Sequence, residues 1–138
     1  MVDISITASS VANGGASEFE KKGVAGAAIT AGEALYIDTA NSNVLKLAQD
    51  DGTTLEATVA GISLCDAAIG QLVVYLASGG TLTINAVGTA GETYIVSATA
   101  GGIAPIADIS TNIVSYIGYG ISTTSLKLNI VNTGVTHA

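Results

Sequence analysis

Hydrophobic and polar residues alternate along several short stretches of this chain, which predicts half-buried β-strands. The clearest alternation is "LKLNI" at 126–130, and shorter ones occur at 45–47 and 82–84. The run "LVVYL" at 72–76 is apolar at every position, so we predict an interior strand that is covered on both faces.

Two further runs, 94–96 and 117–121, are rich in β-branched and aromatic residues, which favour strands. Polar and glycine-rich turns separate the runs, and examples are 38–43, 49–54 and 98–102. Their spacing of about 8–12 residues is typical of a sandwich or barrel. Only 18–22 and 104–110 are candidates for short helices. The pattern therefore predicts an all-β fold.

One stretch of the sequence occurs twice. "TAGEALYID" begins at Thr30 and "TAGETYIVS" begins at Thr89, 59 residues later. The same offset relates Ala48 to Ala107 and 61–63 to 120–122. Two copies are too few for a solenoid, which needs about three or more repeats to be stable. We therefore predict one compact β-barrel or β-sandwich-like domain that is built from two pseudo-symmetric halves.

The repeat suggests how the chain is divided. The halves extend over about 24–79 and 83–134, within a β-domain that comprises 23–138. A chain of 138 residues suits one domain of this kind. The preceding segment, 1–22, lies outside the repeat and forms either an extended N-terminal arm or the first strand of the domain.

Each copy of the repeat begins with a tight turn, because the glycine of Thr-Ala-Gly can adopt a positive φ angle. Glu33 and Glu92 follow these turns at the mouths of two strands. In one interpretation they form an acid–base pair, and Asp66 is the only further candidate for such an enzyme. We favour solvated turn residues, since no histidine or arginine accompanies them.

The charge content excludes several classes of function. The chain has four lysines, no arginine and eleven acidic residues, which give a net charge of −7. A nucleic-acid-binding protein needs clustered cations, so we expect no nucleic acid partner. No run of 18 apolar residues occurs, so we expect no membrane span. Only 11% of residues are charged, and such a surface favours burial against a protein partner.

The residues that most often perform catalysis or bind metals are scarce. Cys65 and His137 are the only residues of their types, which leaves no disulfide, catalytic triad or transition-metal cluster. The acidic turn at 50–52 lacks the alternating oxygen ligands of a calcium loop. We therefore predict no catalytic residues, no cofactor and no metal. The first residues do not resemble a secretion signal, so we expect synthesis in a cytoplasm.

The N-terminal segment contains the candidate partner-binding residues. It combines an alternating apolar start with the densest charge in the chain, and an extended arm of this kind can add a strand to another protein. The predicted partner-binding residues are Ile4, Ile6, Glu18, Phe19, Glu20, Lys21 and Lys22. The alternative is a first strand of the same domain, with Phe19 as an anchor in either case.

The order of these stretches resembles the capsid decoration, or cement, proteins of tailed bacteriophages. The resemblance extends from about Ile4 to Val135, and its most specific parts are "YIVSATAGGIAPIAD" at 94–108 and "GISTTSLKLNI" at 120–130. It implies a β-rich virion protein, commonly a homotrimer, that binds the outer capsid surface. There it would cement neighbouring major capsid subunits and stabilise the head. It would be made in the host bacterial cytoplasm.

A second class of protein also fits the composition. Gly-, Ala-, Ser- and Thr-rich acidic β-proteins occur among exported bacterial surface-layer, pilus and adhesin subunits. The missing export signal favours the decoration protein, unless the chain is a mature fragment.

Overall fold

The structure is a computed structural model that describes residues 3–84, 90–108 and 112–137. These residues form eleven strands: β1 (Ala12–Asn13), β2 (Glu20–Val24), β3 (Ala34–Asp38), β4 (Val44–Leu47), β5 (Gly61–Ser63), β6 (Leu72–Leu76), β7 (Thr81–Thr83), β8 (Thr93–Val96), β9 (Ile103–Pro105), β10 (Ile113–Gly120) and β11 (Ser125–Thr136). Short 3₁₀ turns occur at Ala8–Ser10, Ser17–Phe19 and Ile106–Asp108. The helix considered for 18–22 is therefore wrong beyond Phe19, because Glu20 begins β2.

The strands form two antiparallel sheets that pack against each other. Sheet I has the order β2-β6-β5-β3-β4, and sheet II has the order β1-β7-β11-β10-β8-β9. The predicted all-β, sandwich-like fold is confirmed. Sheet I curls until its edge strands meet at Ala25 and Leu45, where the Gly26 N–H donates to the Leu45 carbonyl at 2.8 Å. This single bridge does not close the sheet into a barrel.

The two halves have the same strand order, since β2-β6-β5-β3-β4 corresponds to β7-β11-β10-β8-β9. The repeated turns also correspond. Gly32 and Gly91 have φ angles of 92° and 89°. The Gly32 N–H donates to the Ser63 carbonyl at 2.9 Å, and the Gly91 N–H donates to the Gly120 carbonyl at 2.6 Å. The predicted positive φ of this glycine is therefore confirmed in both halves.

A second pair of glycines shows which residues of the two halves are structurally equivalent. Gly61 pairs with Leu35, and Gly118 pairs with Tyr94, which lies 59 residues after Leu35. A Cβ on Gly61 would collide with the Leu76 carbonyl oxygen, and one on Gly118 would collide with that of Lys127. The constant offset of 59 predicts that Gly61 is equivalent to Gly120. The strand registers instead make Gly61 equivalent to Gly118. The second half is two residues shorter at this point.

The main core lies between the sheets and consists of buried side chains from both. Sheet I supplies Ala34, Tyr36, Ile62 and Leu76, and sheet II supplies Leu82, Tyr94, Val96, Ile103, Ile117, Leu126 and Leu128. A smaller core covers the far face of sheet I and contains Ala25, Ile29, Leu35, Leu45, Ala67, Val73 and Tyr75. Strand β6 contributes to both cores, so its predicted coverage on both faces is confirmed for Val73, Tyr75 and Leu76.

The sheets meet through faces that are not equivalent. The registers make Leu35, Leu45 and Tyr75 equivalent to Tyr94, Ile103 and Leu126. The first three residues point into the small core on the outside of sheet I, whereas their equivalents point into the main core. The two sheets therefore do not pack through equivalent faces. The face of sheet II that contains Tyr94 packs on the face of sheet I that does not contain its equivalent, Leu35, and we call this arrangement head-to-tail stacking.

The N-terminal segment folds back on the domain. The Ile4 N–H donates to the Ile103 carbonyl at 2.8 Å, and β1 pairs with β7 at the edge of sheet II. Strand β2 pairs with β6 along its full length, so the expected boundary after residue 22 lies inside a strand. Residues 20–24 thus take the alternative of a strand in the domain.

The equivalent glycines give a direct test of the fold. We expect Gly61→Ala and Gly118→Ala each to lower the free energy of unfolding by about 3 kcal/mol or more, because the new methyl group would push two paired strands apart. Gly70→Ala is the control, since no atom lies near its Cβ position and only its φ of 87° is unfavourable, at about 1–2 kcal/mol. Urea unfolding measures the three variants. Wild-type stability of the first two would contradict the assigned registers.

Candidate functional site

Two of the three carboxylates considered for catalysis, Glu33 and Asp66, bond to the backbone of the first copy of the repeated turn. Glu33 Oε1 accepts the Thr30 N–H at 2.6 Å, and Asp66 Oδ1 accepts the Ala31 N–H at 2.8 Å. The Ser63 hydroxyl donates to the Thr30 carbonyl at 2.7 Å and accepts the Glu33 N–H at 3.1 Å. These bonds satisfy the polar groups of a tight turn, which is a structural role.

Glu33 and Glu92 do not share an environment. Burial raises the pKa of Glu33 and the nearby Asp66 charge adds to this effect, while the Thr30 N–H opposes it. Glu92 instead lies beside the Tyr94 hydroxyl and helps to raise the pKa of Tyr94, after burial. One glutamate precedes a strand of sheet I and the other precedes a strand of sheet II. The geometry thus favours two separate turn residues over an acid–base pair.

The other candidate groups also have structural partners. The Asn112 side-chain amide donates to Asp50 Oδ1 at 3.1 Å, and the Ile113 N–H donates to the Asp50 carbonyl at 3.1 Å. The Cys65 sulfur is half-buried and accepts the Val74 N–H at 3.4 Å. Within 3–84, 90–108 and 112–137, no three His, Cys, Asp or Glu residues are grouped as metal ligands.

The described part of the chain contains no helix of the length and apolar character needed to cross a bilayer.

The predicted partner-binding residues divide into two groups. Ile4, Ile6 and Phe19 are half-buried and pack against the main core, so they contribute to the fold. The ring of Phe19 lies against Gly79, and the Lys127 ammonium lies 5.9 Å from the ring centroid. The four charged residues are exposed, and these are Glu18, Glu20, Lys21 and Lys22. The last three belong to the edge strand β2.

An exposed apolar patch, which we call the β2–β6 patch, consists of Val24, Ile69 and Leu72. Val24 and Leu72 are directly paired, and the turn that carries Ile69 is held beside them by the Gly70 N–H, which donates to the Ala25 carbonyl at 2.8 Å. The three side chains are 46%, 72% and 59% exposed. Sequence reasoning missed this patch because it assigned all of "LVVYL" to the interior, whereas β6 extends beyond the cover of sheet II at Leu72.

The outer face of sheet II contains an uncharged hollow, which we call the sheet II groove. It has a volume of about 280 Å³ and is lined by Thr93, Tyr116, Gly118, Tyr119, Asn129 and Val131. Tyr119 is 42% exposed and Val131 is 48% exposed. None of the six lining residues carries a charge. The bulge of β10 between Tyr116 and Gly118 helps to shape the groove.

A larger hollow, which we call the sheet I pocket, opens on the far face of the other sheet. Its volume is about 580 Å³ and its lining is mainly apolar, with Lys22 as the only charged member. The lining residues are Lys22, Gly23, Ile37, Thr39, Asn43, Leu45, Leu55, Thr58, Val59, Ala60 and Tyr75. It lies where the edge strands of the curled sheet separate beyond the bridge of Ala25 and Leu45.

No family model and no curated protein matches this chain.

The raised pKa of Glu33 predicts a pH dependence. The folded state binds the Glu33 proton more tightly than the unfolded state does, so wild type loses stability as the pH rises from the ordinary value of 4.5 through the folded pKa. Glu33→Gln remains neutral and keeps an oxygen for the Thr30 N–H. We therefore expect the free energy of unfolding of Glu33→Gln, relative to wild type, to increase from acidic pH to neutrality.

Asp38→Asn is a control of opposite sign. Hydrogen bonds from Lys46 and then Asn41 hold the pKa of Asp38 below its ordinary value, so its contribution is present at neutral pH and is lost on acidification. Asp38→Asn should therefore be less stable than wild type at neutrality, and this difference should shrink as the pH falls. Thermal unfolding across this pH range measures both variants, and parallel curves for wild type and Glu33→Gln would contradict the assignment.

Proposed function

We propose that this protein is a capsid decoration protein that binds the outer surface of a tailed-phage head and cements neighbouring major capsid subunits. Its role is structural rather than catalytic, and it is located on the outer surface of the virion. The observation that carries the proposal is an exposed apolar surface with few charges, on a fold in which the candidate carboxylates Glu33 and Asp66 bond to the backbone of a turn. The order of sequence stretches that resembles decoration proteins supplies the partner.

The β2–β6 patch is the surface that we assign to the capsid. Exposed apolar side chains of this kind, close to a rim of charged residues, are typical of protein-binding sites. Lys21 and Lys22 lie on the same edge strand as Val24, so they can meet carboxylates of the major capsid protein around the apolar contact. Each contact is small, but the homotrimer that the resemblance implies would present three such patches at once, which makes modest contacts sufficient.

The mechanism of cementing follows from the strand order. Strands that are adjacent in the sheets come from distant parts of the chain, as when β2 pairs with β6 and β7 pairs with β11. A load applied at the β2–β6 patch is therefore carried by hydrogen bonds between strands and by the main core. A decoration protein needs this resistance to hold capsid subunits together against internal pressure.

A bacterial surface-layer, pilus or adhesin subunit is the alternative. It shares the acidic, Ser- and Thr-rich β-structure but would bind a cell-surface lattice. Attachment to phage heads separates the two functions, because only a decoration protein should recognise an expanded capsid.

Co-sedimentation with expanded heads that lack a decoration protein tests the proposal. We expect the wild-type protein to sediment with the heads and to raise their melting temperature. The double variant Ile69→Glu and Leu72→Glu should bind at least tenfold more weakly, because it places two charges in an apolar contact. Ile121→Glu is the matched control, since Ile121 is 47% exposed outside the patch. Absence of wild-type binding, or equal binding by all three proteins, would contradict the proposal.

A further inference from the structure

The sheet II groove contains two tyrosines that a strand bulge brings to the same face. Residues three apart in a regular strand point to opposite faces of the sheet. The bulge in β10 pairs Tyr119 with Thr93 and Tyr116 with Ile95, which lies two residues after Thr93 in β8. Because paired residues share a face, both tyrosine side chains lie on the outer face of sheet II. Bulges that re-aim side chains in this way are over-represented next to active sites.

Polar groups that are free to bind a ligand surround the two rings. Thr93 and Asn129 line the groove together with the tyrosines, and Asn129 and Tyr119 are exposed. In the part of the chain that the structure describes, the Thr93 hydroxyl, the Asn129 side-chain amide and both tyrosine hydroxyls have no hydrogen-bond partner. A hydroxyl both donates and accepts, and an amide supplies two donors and an acceptor. The groove therefore offers several neutral donors and acceptors around an aromatic surface.

The groove itself carries no charge, and its one charged neighbour is directed elsewhere. Lys127 pairs with Tyr119 and shares its face, but the Lys127 ammonium donates to the Gly79 carbonyl at 2.6 Å. An ionic ligand would lose hydration in the groove without meeting an opposite charge. An anionic ligand would also be repelled by the net charge of −7. These features favour an uncharged ligand.

We propose that the sheet II groove binds a neutral saccharide, with a sugar ring against Tyr116 and Tyr119 and its hydroxyls bonded to Thr93 and Asn129. A sugar ring combines apolar C–H faces with a rim of uncharged hydroxyls, which matches aromatic rings surrounded by neutral donors and acceptors. The groove volume of about 280 Å³ is near the lower end for small-molecule sites and suits a mono- or disaccharide unit. This activity does not depend on capsid binding, which we assign to the β2–β6 patch.

A protein segment fits the groove less well than a saccharide does. The tyrosines belong to β10, which is paired with β8 on one side and with β11 on the other. An extended peptide therefore finds no free edge of β10 to which it could add a strand. A folded partner needs about 800 Å² of surface from each protein, which extends far beyond this small hollow.

Nuclear magnetic resonance titration of the isotope-labelled full chain tests the proposal. The neutral probes are lactose, maltotriose and chitotriose, and the charged probe is trigalacturonic acid. We expect at least one neutral probe to shift the amide signals of Gly118, Tyr119 and Asn129 in a saturable manner. Trigalacturonic acid should leave these signals unchanged, because the groove offers its carboxylates no cation.

Variants at exposed positions assign the binding to the groove. Tyr119→Ala removes a ring and should weaken binding of the neutral probe by about tenfold or more. Tyr119→Phe keeps the ring and loses only the hydroxyl, so binding should weaken by about three- to tenfold. Asn129→Ala should have an effect of the same size as Tyr119→Phe, for the same reason. Ile121→Ala is the matched control, since Ile121 is 47% exposed outside the groove, and should bind like wild type.

Three results would each overturn the saccharide site: no shift with any neutral probe at millimolar concentration, equal binding by wild type and Tyr119→Ala, or tighter binding of trigalacturonic acid. Peptides selected from a library through Tyr119, without saccharide binding, would assign the groove to a protein instead. Thermal melting checks that each variant folds. Tyr119→Ala should still sediment with phage heads, and the double variant Ile69→Glu and Leu72→Glu should still bind the saccharide, so the two proposals can fail separately.

Discussion

The structure depends on the burial of one face of sheet I against the inner face of sheet II. Tyr36, Ile62 and Leu76 enter this core from one side, and Tyr94 and Leu126 are among the residues that meet them from the other. Charged residues are few, and the single cysteine, Cys65, is free, so no disulfide stabilises the chain. The folded state is therefore stabilised by burial of apolar surface and by the hydrogen bonds between strands. Loss of this contact would expose the apolar faces of both sheets, because each sheet is covered on this side by the other.

Polar groups act mainly where the chain turns or where the sheets must be joined. The Asn132 side chain accepts the Val59 N–H at 2.8 Å and donates to the Val59 carbonyl at 3.1 Å, so it binds the end of β11 to the loop before β5. Glu33 and Asp66 serve the repeated turn in a similar way. Because only 11% of the residues are charged, the exposed apolar residues suit contact with another protein.

Head-to-tail stacking of the halves has a consequence for the outer faces of the sandwich. If equivalent faces met across a two-fold axis, the contact would bury both copies of the same face, and the two outer faces would be equivalent to each other. Here nonequivalent faces meet, so the two outer faces of the sandwich also differ: the sheet I pocket opens on one of them and the sheet II groove on the other.

The sequence by itself determined the alternating strands, the repeat and the tight turns, because alternation, β-branched runs and glycine act locally. It did not determine β2 and β9, which overlap stretches that were considered for short helices. It also indicated that 72–76 is an interior strand. Only the tertiary structure decided which face of each sheet is covered, since Leu35 and Tyr94 occupy equivalent positions but point into different cores. The equivalence of Gly61 and Gly118, the exposure of Leu72, and the folding of Ile4 onto Ile103 likewise arise from contacts between distant segments. A one-dimensional pattern records which residues are apolar, but the partner that covers them is set by how the sheets stack.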